Sequence, residues 1–291
     1  MRPRYVCPDT VSAVRWWHSP RVAVDHVLRL AVFSNIVIGL AGASVAATTM
    51  VLAGMRVRSL PLVFVFVVTW LVYTVNRFTD RIEDAQNVPD RREFVEAYGR
   101  IIAVTGASCY LVLVAIVARD IPRMLPIALL PPLAIAFYGT SLAKRMFVVK
   151  NGVVGLMWAM IPFGIGLYAG FSASVWLMTA VVGVHIALAA ALFDIKDVPG
   201  DRAIGSVTLP VLVGVRRTRG IVAVGACCVG GLVVGGILWA GPVVIPLGLY
   251  PLHLLTVSLL ATDNRGPLFY GLVIDGEHLL VAAIAVTVTA L

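Results

Sequence analysis

Apolar residues fall in long continuous blocks along this chain, with short polar connections between them. A helix needs roughly 20 mostly apolar residues to cross a hydrocarbon core of about 30 Å. Nine windows qualify: 25–48, 60–82, 101–118, 122–140, 152–171, 173–194, 219–240, 242–261 and 267–291. The fourth is broken by Pro131 and Pro132, and the sixth runs into acidic sequence, so their ends are the least sharply marked. Trp16 and Trp17, flanked by Arg15 and Arg21, predict an interfacial amphipathic helix ahead of the first span. That first apolar block is too long and too late for a cleaved signal peptide. Almost every residue is in a span or a short connection, which predicts one membrane-embedded domain over residues 1–291.

Composition strengthens the membrane reading: 60% of the 291 residues are hydrophobic, 13% are charged, and the mean hydropathy is +0.95. The basic residues predict orientation, because cytoplasmic connections retain Lys and Arg. With nine spans, 18 of the 23 basic residues fall at the N-terminus or in the loops after spans two, four, six and eight. The N-terminus is therefore expected inside and the C-terminus outside, in the cell membrane. The net charge of +8 reads as this topology signal and as attraction to anionic lipid headgroups. Bases and aromatics do not interleave on a soluble face, so nucleic acid is not an expected partner. Cys7, Cys109, Cys227 and Cys228 have no metal or disulfide spacing and read as reduced apolar fillers.

The acids change the picture most. Nine of the 15 lie at the ends of spans two and six, both on the expected cytoplasmic side. In "NRFTDRIED", Asn76, Asp80 and Asp84 stand four residues apart and so share one helical face. Asp197 and Asp201 repeat that step after span six, with Asp194 one turn earlier. Like charges at i,i+4 repel, so two such stripes facing each other call for cations between them. Hard oxygen ligands at a partly hydrated site suit Mg²⁺ completed by substrate phosphates. The separations Asp80 to Asp197 and Asp84 to Asp201 are both 117 residues, as expected if spans one to four and five to eight were structural repeats. One acidic stripe beside basic residues reads equally well as a solvated helix end. Two, matched in separation and side, read as a site.

At these residues the chain resembles the UbiA superfamily of intramembrane prenyltransferases. "NRFTDRIED" fits that family's N-x-x-x-D-x-x-x-D motif, and "DIKDVPGDRAIGSVTLPVLVG" fits D-x-x-D-x-x-G-D-x-x-x-G-x-x-T-L-P. The resemblance implies an all-α bundle of nine helices around a central cavity capped by cytoplasmic loops, in which Mg²⁺ on the two motifs holds an isoprenyl diphosphate. Asn76, Asp80 and Asp84 would serve one side of the diphosphate. Asp197 and Asp201 would serve the other, with Asp194 as an added ligand. "FYGTSLAKR" resembles the segment after span four, making Tyr138, Lys144 and Ser141 candidates for the diphosphate. Arg77 stands where many members have Asp, and "AQNVPDRREF" lacks the usual R-P-L element.

The residues fit ionisation chemistry on their own terms. Carboxylate-bound Mg²⁺ with Lys144, Arg77 or Arg145 would neutralise charge on a leaving diphosphate. The allylic cation left behind needs an electron-rich wall. Of Trp70, Tyr73, Phe137, Tyr138, Trp158, Phe163, Tyr168 and Phe193, only Tyr73 and Phe193 sit beside the acidic motifs, and the others read first as packing. In span nine, Asp275, Glu277 and His278 lie in apolar sequence, where buried ionisable groups face the bundle interior. Asp275 and His278, at i,i+3, read equally as a structural pair or as catalytic groups, and Asp275 is carried as a substrate-side residue. His185, on the cavity side of span six if that helix is straight, reads first as a satisfied core histidine and second as a base near the acceptor.

The expected function is prenyl transfer from an isoprenyl diphosphate to a lipophilic or aromatic acceptor, with Mg²⁺ as cofactor, membrane lipids as surroundings and the active site toward the cytoplasm. A membrane terpene cyclase is the rival on the same architecture. A transporter is the rival outside enzymology, because intramembrane carboxylates also mark ion paths.

Overall fold

The computed structural model describes residues 20–79, 88–138 and 147–290. The chain forms α1 (Pro20–Phe33), α2 (Ile36–Leu52), α3 (Ser59–Thr79) and α4 (Pro89–Asp120). A 3₁₀ turn (Pro122–Met124) then leads into α5 (Leu125–Ala128) and α6 (Leu130–Tyr138). After these come α7 (Phe147–Ala169), α8 (Ala173–Ile204), α9 (Leu209–Val213) and α10 (Val215–Ala240). A 3₁₀ segment (Pro242–Gly248), α11 (Leu249–Leu260), a π-helical turn (Phe269–Ile274) and α12 (Glu277–Ala290) complete the order. Among the described residues there is no strand. Lipid offers no partner to backbone amides and carbonyls, so each segment at membrane depth satisfies them within a helix.

Among the described residues seven helices are long and apolar enough to cross a membrane, and α1 with α2, bent by 69°, makes an eighth if counted as one span. The remaining expected window, the fourth (122–140), is present over its described residues as the 3₁₀ turn, α5 and α6, each too short to count alone. Prolines 122, 126, 131 and 132 remove amide donors along it. The bend between α1 and α2 is at Asn35, the one described non-glycine residue with positive φ (60°). Asparagine tolerates this left-handed conformation better than most residues. Its buried side chain donates from Nδ2 to Thr74 Oγ1 on α3 at 3.3 Å.

Long α8 is the most enclosed of the spans. Its Met178, Val181 and Val182 meet Ala41 and Val45 of α2, Val229 of α10 and Tyr250 of α11 in the main core. α7 lies against α8 at Gly155, where an added Cβ would run into the carbonyl oxygen of Gly183. This close approach of small residues is how helices pack tightly without a hydrophobic driving force. Large apolar side chains such as Ile101, Leu111, Val224 and Leu238 remain exposed on the outer surface, as a lipid-facing wall requires. Cys109, Cys227 and Cys228 are free and also exposed, so they do not fill the interior.

Candidate active site

α3, the ends of α4, the 122–131 segment, α7 and the last turns of α8 enclose a cavity of about 400 Å³. On α3 its lining runs from Leu60 through Phe64, Val68 and Tyr73 to Arg77, which spans about 25 Å at 1.5 Å per residue. α7 follows the same course from Lys150 to Tyr168. One end is polar: Asn76, Arg77, Arg91, Lys150, Asn151, Asp194, Lys196, Asp197, Asp201, Ser206 and Asp275 all line it. The rest is mostly apolar, with Asn35, Thr69 and Tyr168 as uncharged polar side chains in its wall, and ends among Leu60, Pro61, Ile121, Met124 and Ile127.

Local sequence explains how α8 presents its acids. Asp194, Asp197 and Asp201 occur at steps of three and four residues, so they share a face. Pro199, inside the helix between the last two, has no amide to offer the Ile195 carbonyl. Gly205, with φ 70°, ends the helix. Its amide donates to the Arg202 carbonyl, and the Ser206 amide donates to the Asp201 carbonyl at 2.8 Å, a Schellman arrangement. The chain then turns back, and Thr208 Oγ1 donates to Asp201 Oδ2 at 2.9 Å. The glycine and threonine of the long motif therefore orient its third aspartate, which is itself buried.

Asp194 is buried, with both oxygens engaged by α7: Lys150 Nζ donates to Oδ1 at 3.0 Å, and Asn151 Nδ2 donates to Oδ2 at 3.2 Å. The Gly155–Gly183 approach holds the two helices close enough for these bonds. Lys196 Nζ lies 2.5 Å from Asp197 Oδ2 and stands 5.9 Å from the centroid of Phe193 and 5.8 Å from that of Tyr270. Carboxylate and amide oxygens at a hydrated mouth are the donor set a hard cation takes. Among the described residues no group of three acidic, histidine or cysteine side chains is gathered closely enough to hold a metal ion.

The cavity thus brings together Tyr73, Asn76, Arg77, Phe193, Asp194, Asp197, Asp201 and Asp275 of the sequence-derived set. Asp80, Asp84, Ser141 and Lys144 lie outside the described residues, as does the side chain of Tyr138. Lys150, Lys196 and Arg91, which the sequence marked as basic flanks of spans, also line the polar end, as does Asn151, which the sequence did not mark. Trp158 and Tyr168 line the cavity too. Trp70, by contrast, donates to the Ser34 carbonyl and stacks on Phe66, and Phe163 packs with Phe171 and Trp176.

The expected Asp275–His278 pair is corrected. His278 Nδ1 lies 3.0 Å from the Tyr250 hydroxyl, while His185 Nε2 donates to Glu277 Oε1. Asp275, two residues before Glu277 at the start of α12, lines the main cavity, which Glu277 does not. His185 is fully buried and does not line it either.

Comparison with known proteins agrees with this geometry. The chain is 32% identical over 157 residues to a digeranylgeranylglyceryl phosphate synthase of Methanoregula boonei, covering 53% of this chain and 56% of that protein. It is also 32% identical over 162 residues to the protein of that name from Natronomonas pharaonis, covering 51% and 54%. These matches span about half the length of both relatives. A solved structure described as giving insights into digeranylgeranylglyceryl phosphate synthase in membranes superposes with a TM-score of 0.58 at 15% identity, covering 90% of this chain and 98% of that one, and so shares the fold. The family model described as the UbiA prenyltransferase family matches residues 35–268, and this integral membrane protein belongs to that family.

Proposed function

We propose that this protein is a Mg²⁺-dependent intramembrane prenyltransferase, which ionises an isoprenyl diphosphate and transfers the prenyl group to a lipophilic acceptor, releasing diphosphate. The observation that carries this reading is a single cavity with carboxylates and cations at one end and an apolar channel of about 25 Å leading away from them. A prenyl diphosphate has that shape and polarity: a highly charged head on a long hydrocarbon tail. An ion path would need charged or strongly polar groups along its whole length, and the charged side chains of this cavity stand at one end only.

In this reading Asp197, Asp201 and Asn76, with Asp80 and Asp84 of the first motif, would hold Mg²⁺, which would supply positive charge against the departing diphosphate. Lys150, Lys196, Arg77 and Arg91 supply fixed positive charge to the same oxygens, with Lys144, Ser141 and Tyr138 as further partners. Asp194 holds Lys150 and Asn151 in place. The carbon–oxygen bond breaks with both electrons going to diphosphate. Tyr73, Trp158 and Phe193 face the allylic cation and keep water from it. The acceptor's lone pair forms the new bond, and its proton leaves to the carboxylates or water at the mouth, where Asp275 stands. The whole chain forms one domain with its polar mouth toward the cytoplasm, its N-terminus inside and its C-terminus outside.

The names of the two relatives make a prenylated glyceryl phosphate the first acceptor to try. Purified protein with Mg²⁺ and C10 to C20 prenyl diphosphates, with and without that acceptor, is assayed for released diphosphate and extractable products. Acceptor-dependent release that is lost in Asp197→Ala and Asp80→Ala is expected. A cyclic hydrocarbon or alcohol from donor alone would make the protein a terpene cyclase. No release under any condition would overturn the enzymatic reading.

A further inference from the structure

Behind the aromatic wall of the cavity lies a second polar group of side chains, at a depth where the bilayer offers no water. Glu277 is 1% exposed and His185 is fully buried. His185 Nε2 donates to Glu277 Oε1, and His253 Nδ1 lies 2.5 Å from Glu277 Oε2. These residues come from α8, α11 and α12, so one carboxylate joins three helices. A buried ionisable group in a membrane is costly and persists where a role holds it. Two imidazoles flank the carboxylate closely, while His278 Nε2 stands farther off, 3.9 Å from Glu277 Oε1.

His278 faces the cavity wall instead. Its ring stacks on Trp158 at 5.2 Å between centroids with 23° between planes, and its Nδ1 lies 3.0 Å from the Tyr250 hydroxyl. The other edge of Trp158 is fixed by its Nε1–H, which donates to the Tyr73 hydroxyl at 3.0 Å. A separate cavity of about 40 Å³ lies among Tyr73, Trp158, Phe193, Asp275, Glu277 and His278. A wall beside empty space moves unless something holds it, and stacking with His278 opposes that movement for the indole.

We propose that His278, held by Tyr250 and backed by the His185–Glu277–His253 clamp, is a positioning residue that fixes the Trp158 indole as the cation-facing wall of the cavity. The inference rests on the prenyl-transfer reading above. It predicts an effect on ionisation but not on donor binding, since the diphosphate groups lie on other residues. A well-placed indole facing a desolvated cation is worth roughly tenfold to thirtyfold in rate.

The test combines ¹⁹F NMR of 5-fluorotryptophan-labelled protein in detergent, with Trp158 assigned through Trp158→Phe, and diphosphate release by the full chain. Tyr250→Phe keeps the ring and removes only the hydroxyl, and His278→Leu removes the stack. In both, the Trp158 resonance should shift or broaden while the other tryptophans hold. In His278→Leu, kcat should fall roughly tenfold to thirtyfold with the donor KM within about threefold. His278→Phe, which restores a stacked ring, should recover most of the rate. An unmoved Trp158 resonance in both variants overturns the inference, as does an unchanged kcat or a loss confined to KM. A wild type that releases no diphosphate would instead sink the prenyl-transfer reading and with it this catalytic role, while a moved resonance would still establish the stack.

Discussion

Thr208 Oγ1 donates to Asp201 Oδ2 at 2.9 Å across the turn that ends α8, so a residue seven positions on aims the last acid of the motif into the cavity. A buried carboxylate that loses such a donor is left partly unpaired, at about 1–3 kcal/mol. Thr208→Val keeps the shape and removes the hydroxyl. Diphosphate release should fall about tenfold, with a higher Mg²⁺ concentration needed for half-maximal rate, while Thr208→Ser stays near wild type. A Mg²⁺ titration of all three proteins checks this, and an unchanged Thr208→Val curve would remove Thr208 from the site.

The Lys150–Asp194 pair gives a second expectation. Asp194 has both oxygens taken by α7, so it serves as an anchor for Lys150 and Asn151. Removing one partner of a buried pair strands the other, although the side chain of Lys150 is 34% exposed and water recovers part of the loss. Lys150→Met should cost about 2 kcal/mol in thermal unfolding. Adding Asp194→Leu should restore much of it, because both charges are then gone. A double variant less stable than Lys150→Met would contradict the pairing. For activity, Asp194→Asn should leave the Mg²⁺ requirement unchanged, whereas Asp197→Asn should raise it.

How much of this was legible in the sequence depends on distance along the chain. Asp197 and Asp201 declare a shared face through a local four-residue step, and Tyr73 stands one turn from Asn76 on the same helix; both features survive in the cavity lining. Lys150 and Lys196 were hidden because a lysine beside a span reads as an orientation signal, and Asn151 carried no signal of its own. Only the packing of α7 on α8 brings Lys150 to an acid 44 residues away. The same limit produced the error at His278. An i,i+3 neighbour was visible, while the partners of the cluster lie on α8 and α11, with His185 and Glu277 92 residues apart. The bend at Asn35 leaves no periodic trace, since a single left-handed residue decides the local backbone, and the π-helical turn before Asp275 leaves none either.

Gly155 sets the spacing of those two helices, and a side chain there meets backbone. The Cβ of Gly155→Ala would collide with the Gly183 carbonyl and crowd Ala187, neither of which has a flexible end to swing away. Overpacking of this kind costs about 1–3 kcal/mol. The variant should unfold several degrees lower in detergent and lose activity as Lys150 and Asn151 draw away from Asp194. Gly152→Ala, one turn nearer the mouth and with no neighbour within 4 Å of an added Cβ, is the control that should change little.

The far end of the cavity should set which donors fit. Gly164 lines it opposite Met124 and Ile127, whose nearest atoms stand 3.6 and 3.7 Å from where its Cβ would lie. An alanine fits there with ordinary contact, but a phenylalanine projects into the channel and fills its apolar floor. This region is more than a dozen residues along α7 from Lys150, about 20 Å at 1.5 Å per residue, so the diphosphate groups are untouched. Gly164→Phe should therefore lose turnover of C20 diphosphate by at least about tenfold, since a tail that cannot enter leaves its apolar surface in unfavourable surroundings. C10 diphosphate should be turned over as by wild type. Competition between C10 and C20 donors in one reaction, read by mass spectrometry of the products, gives the ratio directly. Equal losses for both lengths would mean that the tail does not lie along α3 and α7.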